Sequence, residues 1–211
     1  MKKVLAILLA VLFILPAAYA ADPAKQLKKA KEKERKEVMK RLKKEQWSLL
    51  GSSRSLEVAL LSHWTELDAL GADGKEIVGI STRTKSKNIG QQMATNAACI
   101  NYAQEAGSAV KGRALTDMAG SGVDTDKEFE NFYAAYERLV EKEIRGEMKQ
   151  SFSLIRTNAD GTFEVQSFYI ISEDAASKAR IRAFENATKE SEAAQKHADK
   201  ISEFVRAGFD Q

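Results

Sequence analysis

The stretch Asn88 to Gly112, NIGQQMATNAACINYAQEAGSAVKG, constrains the fold more than any other part of the chain. Nearly half of its residues are Ala, Gly, Ser or Thr. Yet Ile89, Met93, Ala97, Ile100, Ala103, Gly107, Val110 and Ala114 advance by threes and fours, the spacing of one helical face. A long helix is predicted, with bulk falling away at Ala97, Ala103 and Gly107. So smooth a face can lie close to a sheet or to another helix. A glycine inside a helix costs about 0.5–1 kcal/mol relative to alanine, so Gly107 implies that close packing compensates. In lipid the same small-residue pattern would suggest paired spans. Gln91, Gln92, Asn96, Asn101, Gln104 and Glu105 exclude that reading here.

The flanking segments supply what such a helix would pack against. Before it, Glu76 to Arg83 (EIVGISTR) is short and β-branched and predicts a strand, with Gly79 as a flat spot and GADGK as the preceding turn. Leu56, Leu60, Trp64 and Leu67 predict a short helix, capped by Ser53 or Ser55. After MAGSGVDTD, where Asp124, Thr125 or Asp126 can cap, a helix is predicted over Lys127 to Arg145. Phe129, Phe132, Tyr133, Tyr136, Leu139, Val140 and Ile144 form its broad apolar face. Residues 146–174 predict a β-hairpin turning at NADG, with Gly161 at the position that takes positive φ. Its second arm, apolar on both faces towards Ile171, reads as central or covered on both sides. Ser172 caps a last helix, with Glu173 and Asp174 at its positive end. That helix is expected to run to Arg206 and stop at Gly208.

This order predicts an α+β fold: a small antiparallel or mixed sheet of three to four strands packed by long helices, with a charged N-terminal helix and a long C-terminal helix. The chain has 211 residues, 44% hydrophobic and 30% charged, which suits one globular domain with charged extensions. The expected division is a signal peptide over 1–20, a charged helical extension over 21–46, the α+β domain over 47–187 and a helical extension over 188–211.

The leader reading rests on Lys2 and Lys3, the apolar run Val4 to Leu15, Pro16, and Ala18 and Ala20 before a cleavage point at Ala21. Twelve apolar residues fall short of the roughly 20 that span a bilayer. No transmembrane segment is expected after cleavage. The predicted address is the periplasm or the envelope periphery, without lipidation, since no cysteine lies near the cleavage point. The lone cysteine, Cys99, sits among apolar positions and reads as a buried inert thiol.

From EQWSLL through IVGISTRTKSKNIGQQMATNAACINYAQEAGSAVKGRA to SFSLIRTNADGTFEVQSFYII, the chain resembles the LPP-twenty-like family of exported bacterial proteins, named after a twenty-kilodalton outer-membrane lipoprotein. The resemblance covers Trp47 to Ala187. It implies a compact α+β domain at the cell envelope, with no established enzymatic chemistry and no catalytic residues to carry over. The chain departs from the lipoprotein members in lacking the lipidated cysteine.

No residue pattern points to catalysis or to a cofactor. His63 and His197 stand far apart in different predicted helices, without metal-ligand spacing, and read as structural or surface residues. GSSRS lacks a nucleophile elbow. GADGKEIVG lacks the ending of a phosphate loop, and DTDKE is half a calcium loop out of register. The strongest feature outside the core is basic. Lys25 to Gln46 holds eleven Lys or Arg against four Glu, a net of +7 in a chain of net +3. Lys28, Lys29, Lys31, Lys33, Arg35, Lys36, Lys40, Arg41, Lys43 and Lys44 are the candidate contacts to an anionic lipid or polysaccharide. The alternative is a solvated helix balancing an acidic remainder. The segment has no aromatic side chain for stacking, which argues against nucleic acid. The function expected is that of a non-enzymatic envelope protein that binds a protein partner, itself or an envelope component, through its helical arms. The alternative is a surface-binding module using the basic helix.

Overall fold

The computed structural model describes residues 23–118, 126–190, 195, 202, 205 and 206, and no side chain of residues 113–118 and 126–129. The leader over 1–20, the caps Asp124 and Thr125, the Phe129 side chain, His197 and Gly208 lie outside the described residues. The chain divides into two units between Lys44 and Glu45. The first contributes one described element, helix α1 (Pro23–Lys44).

The second unit is α+β. Its elements are β1 (Ser48–Leu49), α2 (Leu56–Leu70), a 3-10 turn (Gly71–Asp73), β2 (Gly74–Thr84), α3 (Lys87–Met118), α4 (Asp126–Glu147), β3 (Lys149–Thr157), β4 (Phe163–Ser172) and α5 (Glu173–Lys189). The four strands form one antiparallel sheet in the order β1-β3-β4-β2. β4 is therefore central, as its two apolar faces predict. β1 is a two-residue strand that the sequence does not announce. It pairs Ser48 with Ile155 and Leu49 with Leu154.

The hairpin turns where NADG predicts. Gly161 has φ +78°, and Asn158 accepts from its N–H at 3.0 Å. Thr162 donates to Asp160 through its hydroxyl and its N–H, and this holds the Asp160 carboxyl below the usual carboxylate range. Ser55 caps α2 and Ser172 caps α5, accepting from Val58 N and Ala175 N. Each such cap contributes about 1 kcal/mol.

α2 lies on one face of the sheet, where His63 meets the Phe152 and Phe168 rings. α3 lies on the other face, over β2 and β4, with α4 and α5 packed against each other and α4 against α3. The main core joins Ile77, Tyr169 and Ile171 of the sheet to Ala98, Tyr102 and Ala106 of α3, Phe132, Tyr136 and Ile144 of α4, and Ala179, Ala183 and Phe184 of α5. Val205, helical and fully buried, belongs to the same cluster.

The face that α3 buries differs from the one its apolar spacing predicts. Ile89, Met93 and Ile100 are 55%, 48% and 40% exposed, whereas Ala94, Ala98, Cys99, Tyr102 and Ala106 are buried. Ala103, Gly107 and Val110 are buried as expected. The reason is distance. The sheet comes so near that a Cβ on Gly79 would lie 1.8 Å from Ala94 O, and one on Gly90 would lie 2.9 Å from Val165 Cγ2. Where α3 crosses Gly79 there is room only for small residues, so Ala94 and Ala98 face the strand while Ile89, Met93 and Ile100 face outward.

Candidate functional surface

α1 forms because its residues are strong helix formers with no Gly and with Pro23 at its first position, where proline is tolerated. Every sequence-predicted contact residue lies on it. Lys28, Lys29, Lys31, Lys33, Lys36, Lys40, Arg41, Lys43 and Lys44 are exposed and Arg35 is half-buried. Leu42 is buried and Val38 and Met39 are half-buried. Lys33 and Glu37 form an i,i+4 pair at 3.9 Å between well-exposed side chains. Such a pair contributes little.

Within the second unit the polar groups cluster in places that sequence reasoning missed. His63 is buried and its Nε2 pairs with the Glu76 carboxylate, joining α2 to β2. Its Nδ1 has no hydrogen-bond partner among the described residues. Of the two places expected for His63, in the structure or on the surface, it lies in the interior. Among the described residues Arg180 is the largest fully buried side chain. Its Nη1 donates to Tyr102 Oη at 2.8 Å and its Nη2 pairs with Glu173. Burial works against the Arg180 charge, but Glu173 and Tyr102 outweigh it and raise the guanidinium pKa. Burial raises the phenols as well: Tyr102, despite the Arg180 charge beside it, Tyr133 to about 12, and Tyr136 well above its ordinary value. Cys99 is buried. That pushes its thiol pKa up against the opposing charge of Arg145, as an inert thiol requires. These groups join elements to one another. No sequence spacing could have found them, because Arg180 and Tyr102 are 78 residues apart.

The surface has two other marked features. β2 is an edge strand of eleven residues, whose outer edge pairs with no strand among the described residues. Beside that edge, Asn101 Nδ2 reaches Val78 O at 3.4 Å. Ile80 of β2 is half exposed, and Ile89, Met93 and Ile100 form a row on the outer side of α3. Among the described residues no three His, Cys, Asp or Glu side chains gather as metal ligands, and no helix is long and apolar enough to cross a membrane. No protein-family model, curated protein or solved structure matches the chain.

Proposed function

We propose that this chain is an exported, non-enzymatic protein of the bacterial cell envelope that works by self-association. The observation that carries this reading is the row of exposed apolar side chains Ile89, Met93 and Ile100 on the outer side of α3. Adjacent exposed apolar side chains of this kind mark protein-contact surfaces. The basic, then apolar, then small-residue pattern of the first twenty residues supports export. The LPP-twenty-like resemblance over Trp47 to Ala187 supports an envelope role. Light scattering on the exported protein, at low and at high salt, tests the reading. A salt-independent dimer that the triple variant I89Q/M93Q/I100Q dissolves supports it. A monomer at every concentration and salt overturns it.

A second reading has its own observation. α1 is exposed along nearly its whole length and belongs to a separate unit. A helix so basic and so open suits an anionic surface at the envelope.

A further inference from the structure

The basic residues of α1 are not spread evenly around it. Lys25, Lys29, Lys33, Lys36, Lys40 and Lys43 advance by four, four, three, four and three. At 3.6 residues per turn they fall within about 80° of the circumference, in a row about 27 Å long. All six are exposed. Glu32 and Glu37 border the sector and no acidic residue lies inside it. Leu27, Val38 and Leu42 are on the opposite side of the helix, where Leu42 is buried and Val38 half-buried.

We propose that α1 docks on an anionic phospholipid bilayer through this lysine row alone, lying flat and without inserting. The proposal rests on the second reading above and assigns it a face, a partner and a mode. A straight rod with its charges along one line meets a plane at all of them at once. Lysine is a compact, strongly hydrated point charge, suited to a diffuse layer of headgroups. Arginine's fork would suit fixed bidentate phosphates better. An inserting amphipathic helix buries its apolar side in the membrane with the lysines at its borders. Here the apolar side points away from the lysines, so only charge can hold the helix down.

The test uses the exported protein and vesicles of phosphatidylcholine mixed with phosphatidylglycerol, with pure phosphatidylcholine as the neutral control and a soluble polyuronate as competing ligand. Two variants remove equal charge, K29Q/K33Q/K36Q/K40Q on the row and K28Q/K31Q/R35Q/R41Q off it. Glutamine keeps the helix propensity, and circular dichroism checks it. Each lysine near the surface contributes roughly fivefold to binding. The row variant is therefore expected to lose on the order of a hundredfold or more, the off-row variant far less, and high salt is expected to abolish wild-type binding. Equal loss in both variants overturns the face and leaves the anionic-surface reading standing. Binding that survives high salt overturns the non-inserting mode. Wild-type binding to polyuronate without binding to vesicles overturns the bilayer. Binding to neither overturns this proposal and the reading beneath it.

Discussion

At Gly79 the missing side chain is what lets a helix rest on a strand. An added Cβ would lie 1.8 Å from Ala94 O and 2.6 Å from Ala98 N. Both are backbone atoms of a regular helix, so neither can swing aside. Gly79→Ala is expected to destabilise the second unit by about 3 kcal/mol or more, read from urea unfolding. Gly107 makes the useful contrast. A Cβ there would lie 2.2 Å from Glu137 Cγ, part of a flexible and half-buried side chain. Gly107→Ala is expected to stay within about 1 kcal/mol of wild type, because the helix gains propensity as Glu137 moves. Equal losses at the two sites would mean that α3 does not lie on β2 as described. The sequence marks Gly79 as a place without bulk, but Ala94 and Ala98, which take up the space, are named only by the fold.

At the scale of the element, α3 shows how a periodicity can identify a helix and still misplace its buried side. The spacing of Ile89, Met93 and Ile100 is helical, and the helix is there. Hydrophobicity favours burying those three side chains by about 1.5–3 kcal/mol each. Close approach of the sheet excludes them sterically, and the exclusion wins. Measured below the concentration at which the chain self-associates, I89Q/M93Q/I100Q is accordingly expected to leave the stability of the folded monomer within about 1 kcal/mol of wild type, since it alters an outer face. Ala98→Leu, at a fully buried position against Gly79, is expected to cost about 1–3 kcal/mol or more by overpacking. A large loss in the triple variant would restore the face that hydrophobicity alone predicts. α4 needs no such correction. Its Phe132, Tyr133, Tyr136, Val140 and Ile144 are buried as their spacing predicts. It packs against other helices, where large side chains fill space and are not squeezed out of it.

At the scale of the whole molecule, three buried phenols set a limit on alkaline stability. Tyr102, Tyr133 and Tyr136 all have pKa values raised above 10 by burial. Between about pH 10 and those raised values the unfolded chain releases phenol protons that the folded chain keeps. Unfolding then becomes more favourable as pH rises, so stability present below pH 10 is lost above it, by up to about 1.4 kcal/mol per pH unit for each phenol. The share of Tyr133 levels off near its folded value of about 12. Denaturation midpoints measured from pH 9 upward check this. Tyr136→Phe should flatten the fall and cost little at neutral pH, since Tyr136 Oη has no hydrogen-bond partner among the described residues. A flat profile would show that the phenols are open to water.

The sequence alone determined the kinds and order of the helices and of the three long strands, the NADG turn, the serine caps and the basic character of α1. Each of these depends on residues within a few positions of one another, where backbone preference, periodicity and local hydrogen bonds decide. It did not determine β1, the strand order β1-β3-β4-β2, the inward side of α3 or the His63–Glu76 and Arg180–Tyr102 contacts. Those arise where distant segments meet. What is buried there is decided by how closely two surfaces can approach, and no single segment carries that distance.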